Sequence, residues 1–200
     1  MNGEFESAWR LVRHGRAVLR DLGQGVIAAS TGFDLAQVAL LSGDPASVES
    51  EVRADYEFLA AAGETYYLPT LAALLARVVR EQGRDSEALA LSEAAERAAS
   101  VDDLDAQALW RLTRAPILAR AGDLGGAEIL ARESIELSTR TEIPALQADA
   151  LAELAVVLQL AGREVESLAN LELALSLHAK KGDIASVERL RRWAQRFKTP

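Results

Sequence analysis

The residues of this chain that could do chemistry are few and poorly spaced for it. Two histidines, His14 and His178, lie near opposite ends, and neither has a second ligand three or four residues on, as a helical zinc site requires. Each reads as a solvated helix residue. The only G-x-G, residues 23 to 25, lacks a third glycine and a preceding strand, so no dinucleotide cradle is expected. No glycine precedes a Lys-Ser or Lys-Thr pair as in a Walker loop, and no G-x-S-x-G elbow is present. The carboxylates, as in Glu93 and Glu96 or Glu128 and Glu133, fall on helix positions that suit a salt-bridged, solvated face better than an acid/base pair. These observations predict no catalytic residue, no metal and no cofactor.

Two arginines ask for a different explanation. In QALWRLTR, residues 107 to 114, Arg111 and Arg114 sit three apart in an otherwise apolar helical pattern. A guanidinium is a planar, bidentate donor for carboxylates, and an isolated one is costly to bury. What these two do depends on the elements that hold them.

Half of the 200 residues are hydrophobic and only 5% are aromatic, with Ala, Leu, Glu and Arg dominant, which predicts an all-α chain with one sizeable core. Thirty acidic against twenty-two basic side chains give a net charge of −8, which repels a phosphate backbone and argues against nucleic acid. There is no cysteine, so disulfides and thiolate metal sites are excluded. Uncharged apolar stretches fall short of the roughly 20 residues that span a bilayer, and the N-terminus has no basic start followed by an apolar run. A cytoplasmic protein without a membrane partner is expected.

The organising feature is an internal repeat. Gly43, Gly83, Gly122 and Gly162 are spaced 40, 39 and 40 residues apart, and a second set of breaks, at Gly63, Asp102, Glu142 and Gly182, is spaced 39, 40 and 40. Each period therefore holds two helices and two turns. Gly43 and Gly122 suit left-handed positions closing a helix, Asp44 and Asp123 can cap the next one, and Pro45 fits a first helical position.

Counting from each glycine exposes the packing. Seven residues before it stand Ala36, Ala76, Ala115 and Ala155, as close approach of two helix backbones requires. Five after it stand Val48, Ala88, Ala127 and Ser167, and twelve after it Asp55, Ala95, Ser134 and Ala174. Small residues where a hairpin must close, with large apolar ones a turn away, resemble the tetratricopeptide repeat (TPR) over residues 24 to 182, the first repeat least well. The period is about 40 residues rather than that family's usual 34. The segments DYEFLAAAGETYYLPTLAALLARVVREQGR, DDLDAQALWRLTRAPILARAGD and QADALAELAVVLQLAGR are similar to the C-terminal repeat region of bacterial regulators that carry a class III nucleotide cyclase and an AAA-type ATPase upstream. That resemblance implies a right-handed α-solenoid of about nine or ten helices and a non-catalytic, regulatory or scaffolding role.

In this frame Arg111 and Arg114 occupy core positions of the third repeat, aligned with Gly32, Ala72 and Leu151 and with Leu35, Leu75 and Leu154. They are expected to form a partly buried ion-pair network with Asp102, Asp103 or Asp105 at the preceding turn, or with acids on neighbouring helices. Trp110 is expected to fill the core, and Pro116 to bend its helix. If the first helices of the pairs line a concave face, their positions off the packing seam are Phe33, Gln37 and Leu40, then Thr70, Arg77 and Arg80, then Leu109, Leu112 and Arg120, then Asp149 and Gln159. Three arginines there would suit an acidic or amphipathic peptide.

The ends read as caps. Residues 1–22 place Phe5, Trp9, Val12 and Leu19 on one stripe, and 183–200 place Leu190, Trp193 and Phe197 on one face among Arg189, Arg192, Arg196 and Lys198. Either end could instead be a homodimer contact. The helical pattern starts within a few residues of the N-terminus without a linker, which points to a piece of a longer protein. The sequence therefore predicts a single solenoid domain that binds a protein or peptide, with small-molecule or nucleotide sensing and structural self-association as the alternatives.

Overall fold

The computed structural model describes residues 3–196. They form eleven α-helices: α1 (Phe5–Asp21), α2 (Gly25–Ser30), α3 (Gly32–Ser42), α4 (Glu49–Ala61), α5 (Leu68–Arg80), α6 (Asp85–Ala98), α7 (Leu104–Arg120), α8 (Leu124–Thr139), α9 (Pro144–Leu160), α10 (Glu164–Lys181) and α11 (Ile184–Arg196). The eleventh arises because the first helix of the first repeat is broken at Thr31 into α2 and α3. The chain divides into two compact units, Glu4–Ala106 and the residues from Gln107 onward.

The turns follow the local chemistry. Gly43, Gly83, Gly122 and Gly162 have φ of +79°, +77°, +95° and +73°, the left-handed region that a side chain would disfavour. Asp123 caps α8, its Oδ1 accepting from the N–H of Gly126 at 2.9 Å. Asp44 makes no such cap: a 3-10 turn over Pro45–Ser47 intervenes, and α4 starts only at Glu49. α7 runs through Pro116 from Leu104 to Arg120.

Ala36, Ala76, Ala115 and Ala155 are all fully buried, as expected where helix axes come closest. Two of the small residues facing such crossings are serines, and their hydroxyls go to the opposing backbone. Ser134 Oγ donates to the Ala108 carbonyl at 2.9 Å and Ser167 Oγ to the Ala155 carbonyl at 2.7 Å, so each buried hydroxyl is satisfied across its hairpin.

In the first unit α5 packs against α3, α4 and α6 and is buried on nearly every face, from Leu71 through Arg80. α1 lies on α2 and α3, with Phe5, Trp9, Val12 and Leu19 half-buried. In the second unit α9 is held between α8 and α10, and Leu190 and Trp193 of α11 join the apolar cluster of Leu151, Ala155, Leu171 and Ala174. Phe197 and Lys198 lie outside the described residues.

One expectation about apolar stretches is corrected. The 18-residue segment Gly25–Ser42 is long and apolar enough to cross a membrane by length and composition. It is half buried, however, its break at Thr31 interrupts it, and Ala28, Ala29, Leu35, Ala36 and Ala39 are core residues of the first unit.

Candidate functional site

The residues expected to line a groove divide into two kinds. Arg77, Arg80, Leu109 and Leu112 are 3%, 7%, 7% and 0% exposed, so they are interior residues and not surface ones. For the arginines the cause is the position of α5, which is enclosed by α3, α4 and α6 and has no free face to present. Arg80 pairs with Glu81 at 2.8 Å. Phe33, Gln37, Leu40 and Thr70 are half-buried in the first unit, and in the second Arg120 is exposed while Asp149 and Gln159 are half-buried.

Phe33 belongs to an aromatic edge that counting from the glycines did not reveal. Its ring lies 5.9 Å from that of Tyr67, which in turn meets Tyr66 edge-on at 4.9 Å. Tyr66 is 75% exposed. The backbone that carries the two tyrosines is fixed by Glu64, whose carboxylate accepts from the N–H groups of Tyr66, Tyr67 and Leu68 at 2.7, 2.7 and 3.0 Å. These are donors that the start of α5 would otherwise leave unsatisfied, and the acidic group also suits the positive end of the helix. Pro69, just inside α5, needs no such partner. An exposed tyrosine stacked on a fixed backbone is thus presented at low entropic cost.

Of the arrangements expected for the arginines of α7, Arg111 takes the one with an acid on a neighbouring helix. Arg111 Nε donates to Glu133 of α8 at 2.8 Å, and its Nη1 donates to the Gln107 carbonyl and side-chain oxygens at 2.9 and 2.6 Å. The guanidinium carbons of Arg111 and Arg114 lie 4.1 and 4.4 Å from the centroid of the Trp110 ring, well inside cation–π range. Trp110 itself is 3% exposed, a core residue as expected. Asp102 and Asp103 are corrected as members of this network: Asp103 sits at the head of α7 and its Oδ1 accepts from the N–H of Ala106 at 3.0 Å, while Asp102 is exposed. An acid three residues before a free helical N–H satisfies that donor, which leaves Arg111 to the carboxylate on the neighbouring helix.

A buried pair in the first unit went unrecognised. Arg16 of α1 donates from Nη1 to Asp55 Oδ2 at 2.7 Å and from Nη2 to Oδ1 at 2.8 Å, and both side chains are almost fully buried. Arg16 Nη1 also reaches Thr31 Oγ1 at 3.0 Å, at the break between α2 and α3. A Cβ added at Gly32 would stand 2.8 Å from Asp55 Oδ2, so the glycine makes room for the carboxylate. The signal was available: Gly32 and Asp55 are departures from the repeat pattern within the same repeat.

The surface carboxylates form ion pairs in a repeated unit. Glu49 accepts from Arg53 at 2.8 Å, from Gln82 at 2.9 Å and from Arg84, while Arg53 and Arg84 also reach Glu87 at 2.6 and 3.0 Å. Seventy-nine residues on, Glu128 accepts from Arg132 at 2.7 Å and Arg163 at 2.6 Å, and Arg163 also holds Glu166 at 2.6 Å. For Glu49, partial burial raises the carboxyl but the hydrogen bonds from Arg53, Gln82 and Arg84 outweigh it and hold it below the usual range. For Glu128 the Arg132 hydrogen bond is the largest influence, and with Arg163 it outweighs burial, which raises the carboxyl, and holds it below the usual range.

Two expectations about histidine part ways here. His14 is exposed, but His178 is 1% exposed and lies among carboxylates of the second unit.

No protein-family model matches the chain, and no curated protein matches it. Among solved structures it is similar to a Podosopora anserina protein described as putative kinesin light chain nearly identical TPR-like repeats, at 17% identity and a TM-score of 0.57, over 91% of this chain and 90% of that one. The fold is a TPR-like α-solenoid. It is also similar to BtubC (BKLC) from P. vanneervenii, at 18% identity and a TM-score of 0.50, over 90% of this chain and 91% of that one. At these identities the likeness concerns the fold.

Proposed function

We propose that this chain is a non-catalytic protein-interaction module that takes a peptide or a partner protein on the first helices of its hairpins. The observation that carries the reading is the aromatic edge of Phe33, Tyr67 and Tyr66, with one ring three-quarters exposed on a backbone fixed by Glu64. Exposed tyrosines on rigid backbone are the kind of residue that carries binding energy in protein interfaces. In the second unit, taken by itself, Arg120 is exposed and Asp149 and Gln159 are half-buried on the first helices of its hairpins. The TPR-like fold supports a scaffold role in general terms, since stacked hairpins offer extended surfaces. The finer reading, the regulatory part of a bacterial signalling protein working in the cytoplasm, is supported by the resemblance of the repeat segments to regulator C-termini.

A displayed peptide library selected on the wild-type chain tests this reading. Peptides enriched on wild type should bind the Tyr66→Ala/Phe33→Ala variant at least about tenfold more weakly, the lower end of what an aromatic hot spot contributes. Tyr66 is exposed, so the single Tyr66→Ala variant should keep the wild-type far-UV circular dichroism and still lose affinity. Selection of nothing, or of peptides that bind both chains equally, would remove this surface as a binding site.

A further inference from the structure

The aromatic edge of the first unit is built from chain that carries no cation. No Lys, Arg or His occurs in residues 21–52 or 54–76, which hold α2, α3, most of α4, the turn before α5 and most of α5. The charge on the ring-bearing segments is negative. Glu64 accepts three backbone N–H groups, which satisfy its oxygens but leave its charge in place. Asp34, the residue after Phe33, is exposed and makes no side-chain hydrogen bond or ion pair among the described residues. Desolvation raises its carboxyl above the ordinary value, and no neighbouring cation brings it back down. Tyr66 stands edge-on to Tyr67, with 82° between the ring planes, and keeps most of its own ring in solvent.

We infer that this edge selects a cationic partner segment: a Lys or Arg side chain lies against the Tyr66 ring, drawn there by the negative charge of Glu64 and Asp34. The inference rests on the edge being the binding surface proposed above, and it adds the sign of the partner. The face of an aromatic ring is the negative part of its quadrupole, so a cation is the charge it favours. An anionic segment would meet two carboxylates and no cation on the segments that hold the rings, and such like-charge juxtaposition excludes wrong partners. Arginine suits the edge better than lysine, because its planar guanidinium also stacks on an aromatic face. The three arginines that suggested an acidic peptide do not alter this balance. Arg77 and Arg80 are 3% and 7% exposed, and Arg120 belongs to the second unit.

The displayed peptide library, selected on the full chain, is the probe. Peptides that bind wild type and lose affinity for Tyr66→Ala should be enriched in Lys and Arg and depleted of Asp and Glu relative to the unselected library. Synthesised singly, each should bind at least about threefold more weakly when its arginine is replaced by citrulline, the lower end for a cation–aromatic contact at an exposed site. Tyr66→Phe keeps the ring and should bind them as wild type does. Asp34→Asn breaks no hydrogen bond of the fold and should weaken them, more at low salt than at high. Tyr66-dependent peptides that are neutral or acidic would overturn the inference and leave the edge as a binding surface. Basic peptides that bind Tyr66→Ala as tightly as wild type would also overturn it, since general attraction to a chain of net charge −8 would then account for them. If no selected peptide depends on Tyr66, both the inference and the binding surface fall.

Discussion

Replacing Asp55 by alanine should loosen the N-terminal helix more than any single surface change in the chain. The carboxylate meets Arg16 through two charge-assisted hydrogen bonds of 2.7 and 2.8 Å, and the side chains are 2% and 4% exposed. Removing one partner leaves a guanidinium without its counter-charge, which costs about 3–5 kcal/mol in buried pairs. Arg16 keeps its bonds to Thr31 Oγ1 and the Ala28 carbonyl, so the lower end, about 3 kcal/mol, is expected. Gly32 makes the argument sharper. In wild type, Gly32→Ala puts a methyl 2.8 Å from Asp55 Oδ2 and 3.1 Å from Leu71 Cδ1, so the carboxylate must leave its position. The cost is about 1.5–3 kcal/mol for a charged hydrogen bond, less about 1 kcal/mol of helix propensity that alanine gains over glycine. With Asp55→Ala already in place the oxygen is gone, and Gly32→Ala should be close to neutral.

The two substitutions should therefore couple by about 0.5–2 kcal/mol, inside the range of about 0.5–3 kcal/mol for residues in direct contact. Because the chain divides into two units, one melting curve would mix their transitions, so native-state hydrogen exchange of α1 to α4 is the appropriate assay. A cost for Asp55→Ala below about 1 kcal/mol in those helices would mean that the pair contributes little to docking α1. Equal costs for Gly32→Ala in both backgrounds would show that the glycine is not there for the carboxylate.

Other perturbations follow from the same geometry. Trp110→Ala should cost about 3–5 kcal/mol in native-state hydrogen exchange of the second unit, the usual range for deleting a buried tryptophan, while Glu133→Gln, at a half-exposed carboxylate, should cost at most about 1 kcal/mol. Glu49→Gln and Glu128→Gln should each cost at most about 1 kcal/mol after allowance for solvent screening, and less in high salt. Both carboxyls are held below the ordinary glutamate value of 4.5, so their contribution is complete above that pH and is lost as the pH falls through their lowered values. Native-state hydrogen exchange of α4 and of α8 in wild type and the Glu49→Gln/Glu128→Gln variant should differ near neutral pH and converge in acid; a gap that persists or widens in acid would refute the assignment.

The hairpins were legible because their signals are local. A glycine that must turn left and an alanine that must let two backbones meet are each dictated within a few residues, and all four glycine–alanine pairs fall where counting puts them. Exposure was less legible, since it depends on what surrounds a helix. Arg77 and Arg80 were assigned to an open face by position, but α5 is enclosed by α3, α4 and α6. His178 could have been placed by the same counting. It stands sixteen residues after Gly162, in register with Leu59, Ala99 and Ser138, and Leu59 and Ser138 are 0% and 1% exposed. Its type suggested solvent while its register indicated the interior. Tyr66 and Tyr67 precede α5 in a turn, outside the registers counted along helices, and their order comes from Glu64, which composition does not single out.

The charges obey a longer period than the apolar residues. Small residues close the hairpins of the later three repeats at the same positions, and one set of ion pairs recurs two repeats on: Glu49, Arg53, Arg84 and Glu87 match Glu128, Arg132, Arg163 and Glu166 at a constant offset of 79. In each set an arginine directly after a turn glycine reaches back to a glutamate six residues after the previous one. Counted from Gly83 and Gly122, the same two places hold Leu89 and Asp123. Apolar packing alone would stack any hairpin on any other, because small residues recur at the same crossings throughout. A charge pattern with twice the period distinguishes them, since a one-repeat slip sets Arg84 or Arg163 opposite a leucine. The pairs are individually weak, so within each unit such a pattern favours one neighbouring hairpin over another more than it adds stability.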